Sequence, residues 1–344
     1  MHVKDNYKSV KFIAFHLAAT HSFLAILFLL IYNTKLMKAK VSIIGAGNVG
    51  ATTAQLIAYA GFADVVLFDI AEGVPQGKAL DIAESCPLWN SSVSISGTNT
   101  YADTVYSDVI VITAGFPRKP GMSRDDLLHA NADVIKKVTL ETSRLSPECV
   151  IIVVTNPMDV MAQIAWKISG FSSKKVIGMG GVLDSSRFRT FVSMELGVSP
   201  EDVEAMVLGG HGDQMVPLPR FTTVKGMPIT ELLNKSKIDE IIQRTKNGGA
   251  EIVSLLKTGS AYYAPAASSC QMVKAIIFDE KRVLPCSAYL RGEYGISDLF
   301  VGVPVVLGKG GVQRIIELKL RDDEITQLNK SASSVKTLVE KAVL

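Results

Sequence analysis

Histidine is scarce in this 344-residue chain. There are five, and His2, His16 and His21 crowd the first 36 residues, so imidazole chemistry elsewhere rests on His129 or His211. Cysteine is scarcer still. Cys86, Cys149, Cys270 and Cys286 are widely scattered, with no C-x-x-C and no metal-ligand spacing, which leaves neither a disulfide framework nor a thiolate metal site. They read as reduced thiols of a cytoplasmic protein. Net charge is also small, and its +3 is local: Lys4, Lys8, Lys11 and Lys35 against Asp5 leave 32 basic and 32 acidic residues in the remainder. A balanced body offers no electrostatic case for a nucleic acid partner. No internal repeat or low-complexity linker interrupts a chain long enough for two domains with a large core.

Residues 12–34, "FIAFHLAATHSFLAILFLLIYNT", carry no formal charge across 23 positions, enough to span a bilayer. Lysines on both sides give no firm orientation, and no small-x-small cleavage site follows. Met37 opens "MKAKVSIIGAG", a natural start for a domain, so residues 1–36 read as an extension from a start assigned too far upstream. A membrane anchor or a cleaved signal are the other readings, and a membrane partner enters only if 12–34 is a real segment.

"KVSIIGAGNVGATTAQLIAYAGFADVVLFDI", residues 40–70, reads as strand, glycine turn, helix, strand. Gly45, Gly47 and Gly50 complete G-x-G-x-x-G: one glycine for the tight turn, one for close approach to a pyrophosphate, one for helix–strand packing. The helix start adds N–H donors and partial positive charge. Alone the pattern is weak, but the second strand ends in Asp69, whose carboxylate can accept from both ribose hydroxyls and would repel a 2′-phosphate. That points to NAD rather than NADP. "DVIVITAG" (108–115) and "CVIIVVTNP" (149–157) continue the alternation as buried parallel strands, with a helix from Asp125 to Leu145 between them. The expected crevice lies beyond the strand ends, among Asp69, the loop after Gly115, and Thr155-Asn156.

That loop, "GFPRKPGMSRDDLL" (115–128), holds Pro117, Pro120 and Gly121 and should be exposed and hinged, presenting Arg118 and Arg124. "GGVLDSSRFRTFVSMEL" (180–196) reads as a helix entered from glycine, with Asp184 and Arg187 on one face. In "VEAMVLGGHGDQMVPLP" a strand ending at Leu208 leads to a glycine-rich turn carrying His211. Glycines on both sides permit positive φ and clear space for an imidazole suited to proton transfer. His129 reads as an ordinary helical residue. "TTVKGMPI" (222–229) reads as a hairpin turning at Lys225-Gly226. "GSAYYAPAASS" (259–269) begins a helix, and the C-terminal segment is an amphipathic helix.

Taken in order, "GAGNVG", Asp69, "TAGFPRKPGMSRDDLL", "VTNPMD", "GVLDSSRFR" and "GGHGD" resemble the lactate/malate dehydrogenase family over residues 37–344. The resemblance implies an α/β protein: a Rossmann dinucleotide-binding domain with a parallel sheet over 37–180, then a mixed α/β catalytic domain over 181–344. It implies 2-hydroxy acid oxidation by NAD, no metal, and a homodimer or homotetramer. Carried onto this chain, His211 is the acid/base, Asp184 orients its ring, Arg187 holds the C1 carboxylate, and Arg124 polarises the C2 oxygen. Asn156 bonds that oxygen near the nicotinamide. Gly45, Ala46, Gly47, Asn48, Val49, Gly50, Asp69, Val154 and Thr155 line the cofactor site, and Asn131 approaches NAD when the loop closes. The helix at 259–269 lies near the substrate, its small residues leaving room.

Arg118 bears on the substrate. Family members specific for lactate carry an uncharged residue at the matching loop position, whereas those acting on malate carry arginine. Pyruvate brings one carboxylate, already matched by Arg187, and a second enclosed arginine would stay desolvated and unpaired. A dicarboxylate, malate or oxaloacetate, supplies the missing anion. The chain thus resembles the malate-oxidising subgroup that lies close to the lactate dehydrogenases. The rival readings are a lactate dehydrogenase and a membrane-tethered NAD-binding protein without turnover. NAD-dependent sugar-cleaving enzymes would need a metal-binding Cys/His constellation that is not seen.

Overall fold

β-branched runs set the frame. β4 (Val109–Ile112) and β5 (Val150–Val153) are β-branched throughout with every residue buried, the pattern of strands covered on both faces. With β1 (Ala39–Ile44), β2 (Ala63–Phe68), β3 (Ile95–Thr98) and β6 (Val176–Gly178) they lie in the order β3-β2-β1-β4-β5-β6. The pairs β2–β3, β1–β4, β4–β5 and β5–β6 are parallel. Parallel neighbours require crossovers, and α1 (Asn48–Ala60), α2 (Val74–Ser85), α3 (Arg124–Leu145) and α4 (Met158–Ser169) supply them. Strand order reverses between β1 and β4, so a crevice opens at their carboxyl ends. This is a computed structural model describing residues 38–116 and 123–342. Lys40–Leu344 form one unit. The apolar segment 12–34 and Met37 lie outside the described residues, as do Arg118 and residues 117–122 around it.

Two features go beyond the sequence expectations. β3, "ISGT", has little apolar pattern, and α2 packs over it only because residue 97 is glycine: a side chain there would collide with the backbone of Pro75. The sheet also continues past β6. β12 (Arg282–Arg291), β13 (Ser297–Gly308) and β14 (Gly311–Ile315) add an antiparallel meander, joined through Ser287 opposite Gly178. One nine-stranded sheet therefore runs through both halves of the unit.

The second half packs α5 (Gly181–Leu196), α6 (Lys235–Leu256), α7 (Tyr263–Ile277) and α8 (Asp322–Lys341) with two small sheets. Phe188 and Val192 of α5 meet Ile238 and Ile241 of α6 in a core of their own. The strand expected up to Leu208 is broken: β7 (Val203–Glu204) and β8 (Val207–Leu208) belong to different sheets. β8 pairs with β9 (Val216–Pro217), whereas β7 pairs with β10 (Thr223–Val224) of the expected hairpin. That hairpin closes on β11 (Met227–Pro228) through Lys225 at φ 48° and Gly226 at φ 85°, both in the left-handed region a two-residue turn requires.

Candidate active site

The glycine turn is built from backbone contacts. Gly45 has φ 113°, and a Cβ there would come within 2.7 Å of the Ala114 nitrogen. A Cβ at Gly50 would overlap the carbonyl oxygen of Gly45, so α1 can approach β1 only without one. Gly47 has open space where its Cβ would stand and caps α1 with no side-chain hydrogen bond. Bare backbone and uncapped N–H groups thus face outward at the helix start, with Gly47 and Asn48 exposed, Val49 half-buried and Ala46 buried. This cradle fits a dinucleotide pyrophosphate.

Asp69, at the end of β2, accepts the Ala46 N–H at 2.6 Å and the Ala71 N–H at 3.0 Å, which holds its carboxylate beside the turn. Lys78 of α2 donates to the Ala46 carbonyl at 2.7 Å and braces the turn from the other side. A cavity of about 660 Å³ is lined by Gly45, Gly47, Asp69, Tyr101, Gly115 and Phe116 among others. Val154, Thr155 and Asn156 are outside its lining. Thr155 is buried and donates to the Ala114 carbonyl at 2.7 Å, while Asn156 is exposed at the end of β5. Asn131 is buried; its amide accepts the Phe116 N–H and donates to the Asn156 carbonyl, each at 2.7 Å, tying the loops after β4 and β5 together.

The glycines around His211 shape its turn. Gly209 and Gly212 have φ of 84° and 122°, so the turn around the histidine is left-handed twice. The space beside the imidazole comes from elsewhere, because a Cβ at Gly180 would lie 3.2 Å from the His211 Cβ, while one at Gly210 would press on Val335. Nδ1 of His211 lies 2.9 Å from Asp184 Oδ2, and the side chains are 13% and 2% exposed. Burial alone would lower the histidine pKa. The charge and hydrogen bond of Asp184, with the charge of Asp159, outweigh burial and the opposing Arg187, and hold it above the ordinary value. An imidazole whose Nδ1 faces a buried carboxylate, and whose other nitrogen has no hydrogen bond among the described residues, is equipped to donate and accept a proton.

Arg187 sits one turn along α5, with Nη1 3.4 Å from Asp184 Oδ1 and its Nε buried without a partner. A guanidinium anchored at one edge and unsatisfied at another is suited to a carboxylate. Arg124 is the first residue of α3, whose cap is a reciprocal pair between Ser123 and Asp126; its side chain lies outside the described residues. His129 is exposed on α3.

The model of the lactate/malate dehydrogenase NAD binding domain matches residues 39–178, and that of the family's alpha/beta C-terminal domain matches residues 181–343. The chain belongs to the lactate/malate dehydrogenase family. A malate dehydrogenase of Roseiflexus castenholzii is 55% identical over 303 residues, covering 88% of this chain and 98% of the relative. The solved malate dehydrogenase of Salinibacter ruber superposes with a TM-score of 0.85 at 51% identity, over 88% of this chain and 97% of that one. A Cryptosporidium parvum lactate dehydrogenase, solved with lactic acid and nicotinamide adenine dinucleotide, follows at 43% identity and TM-score 0.86, over 89% and 98%.

Several neighbours of the site leave little trace in the sequence. Gly248 and Gly249 lie inside α6, where each glycine costs about 1 kcal/mol against alanine. A Cβ at Gly248 would stand 3.1 Å from the Arg187 Cδ, so the pair makes room for the guanidinium. Paired glycines inside a helical pattern were the available signal. Asp159 of α4 and Ser331 of α8 grip the His211 turn, and Ser287 of β12 holds Asp159 by donating to its other carboxylate oxygen. Only Asp159 left a trace, as a charged residue opening the apolar helix "MDVMAQIAW".

Proposed function

We propose that this chain is an NAD-dependent malate dehydrogenase, which interconverts (S)-malate and oxaloacetate with His211 as its acid/base group. The carrying observation is the buried Asp184–His211 pair set beside Arg187. In oxidation His211 takes the C2 hydroxyl proton through Nε2, the ring nitrogen that does not face Asp184, while Asp184 stabilises the imidazolium that forms. Arg187 holds the C1 carboxylate with a guanidinium whose Nε has no partner among the described residues. Arg124 and Asn156 bond the C2 oxygen, and Arg118 takes the second carboxylate as the loop closes and excludes water. NAD, when bound, accepts the hydride from C2. The residues to hold it are Gly45, Ala46, Gly47, Asn48, Val49, Gly50 and Asp69, with Val154, Thr155, Asn156 and Asn131 toward the nicotinamide.

Malate is favoured over lactate by Arg118 and by the malate dehydrogenases among the relatives at higher identity than the lactate dehydrogenase. The division of labour follows the two halves, NAD binding over 37–180 and catalysis over 181–344. We further propose a cytoplasmic homodimer or homotetramer, in keeping with large apolar side chains left exposed, Leu80, Leu88, Met194 and Tyr263 among them. Light scattering should give two or four times the mass of one chain. Among the described residues no helix is long and apolar enough to cross a membrane.

The test is consumption of NADH by oxaloacetate with the purified chain, alongside His211→Asn. Turnover in the first and a loss of roughly 10³-fold or more in the second support the reading. An active His211→Asn variant overturns the assignment of the acid/base group.

A further inference from the structure

Three consecutive backbone N–H groups of the His211 turn are taken by three different elements. Gly209 donates to the Gly302 carbonyl of β13, Gly210 to the Ser331 hydroxyl of α8, and His211 to Asp159 Oδ2 of α4, each at 2.8 Å. The first two acceptors are neutral. The third is a carboxylate whose residue is only 4% exposed, and its other oxygen accepts the Ser287 hydroxyl at 2.6 Å.

A buried carboxylate is a costly way to satisfy one amide, since a neutral oxygen would serve as well: burial pushes the Asp159 carboxyl up, against the Ser287 and His211 hydrogen bonds and the His211 charge that favour its anion. Its placement offers a physical return. Asp159 lies in the first turn of α4, where the helix dipole favours a negative charge. We propose that Asp159 is a positioning residue for proton transfer: together with Asp184 it holds His211 between two carboxylates, one on the ring and one on the backbone, fixing the height of the imidazole and favouring its charged form. The inference rests on His211 being the acid/base group of the reaction proposed above.

The surroundings leave few competitors for this effect. Among the described residues, the charged groups acting on His211 are Asp184 and Arg187 of α5 and Asp159 of α4. β12, β13 and α8 contribute Ser287, Gly302, Ser331 and Val335, all uncharged. The position of Asp159 also shares a stretch with Asn156, three residues earlier and tied through Asn131 to the loop after β4. The same short segment therefore serves the substrate side of the crevice and the seat of the histidine.

Asp159→Asn tests the charge without emptying the space. Its amide oxygen can accept the His211 N–H, and its NH₂ can donate to Ser287, so both hydrogen bonds persist. The His211 imidazole is titrated by NMR in the substrate-free protein, its signal assigned among the five histidines by comparison with His211→Gln. The expected result is a titration displaced to lower pH, with kcat for oxaloacetate reduction reduced about tenfold and KM within about twofold. Ser287→Ala removes a donor that favours the charged carboxylate, and should move the titration the same way by less. It stands in where Asp159→Asn does not fold. A His211 titration unmoved in the folded variants overturns the proposal. The NMR readout needs no substrate and wild-type turnover needs no variant, so this inference and the proposed reaction fail separately.

Discussion

Asp184 Oδ2 sits 2.9 Å from Nδ1 of His211, although 27 residues separate them in sequence. The contact depends on α5 delivering Asp184 in its first turn while the Gly209–Gly212 turn brings the histidine back over it. In the proposed mechanism a carboxylate there fixes the tautomer that presents the outer ring nitrogen to substrate. Asp184→Asn should reduce kcat by about 10³–10⁴-fold. KM should rise as well, because Asp184 also braces Arg187 at 3.4 Å. Steady-state kinetics read both; a kcat within tenfold of wild type contradicts the assigned role.

The pH dependence follows from the same pair. Burial opposes the charged imidazole, but Asp184 and Asp159 prevail and raise its folded pKa above the ordinary value. Protonation of His211 therefore stabilises the fold below the unfolded pKa, and that contribution is lost as pH rises through the folded value. Oxaloacetate reduction uses the charged form, so its kcat/KM should fall across the upper part of this window, while malate oxidation rises. Profiles measured in both directions should share a midpoint above about 6.5, the free imidazole value. A midpoint at or below it goes against the geometry.

Gly50→Ala should damage cofactor binding with little effect on the histidine turn. Its Cβ would overlap the Gly45 carbonyl, forcing α1 away from β1 and opening the turn. The expected cost is roughly 1–3 kcal/mol of stability. NADH fluorescence titration should show a Kd raised by about tenfold or more, the equivalent of 1.4 kcal/mol. Unchanged affinity would place the pyrophosphate elsewhere.

Arg118→Gln addresses the second carboxylate. Removing the charge leaves a dicarboxylate partly unmatched and relieves the arginine of burial beside a methyl group. The kcat/KM ratio of oxaloacetate to pyruvate should fall by about 10²-fold or more, the scale of a desolvated ion pair. An unchanged ratio removes Arg118 from substrate choice.

Much of the site was legible because its chemistry is local in sequence. The G-x-G-x-x-G turn, Asp69 at a strand end, the Asp184–Arg187 spacing and the glycines around His211 each announce themselves within a few residues. What the sequence hid is long-range. Asp159 reaches His211 across 52 residues, Ser331 reaches Gly210 across 121, and Ser287 reaches Asp159 across 128. No periodicity encodes such meetings, since β12, β13 and α8 reach the site only through the tertiary packing of distant stretches of chain. The same distance conceals the meander that extends the sheet: its strands are recognisable as apolar runs, but their partner β6 is set by packing alone. The break between Glu204 and Val207 is hidden for a related reason. A mostly apolar stretch with one charged residue, Glu204, does not say that two sheets will divide it.

A dehydrogenase that reads two carboxylates should be recognised by its choice of substrate. NADH absorbance is followed with the purified wild-type chain, offering oxaloacetate and pyruvate separately at matched concentrations. Rapid loss of absorbance with oxaloacetate and little with pyruvate is the predicted result. Faster turnover of pyruvate would contradict it and make this member of the family a lactate dehydrogenase.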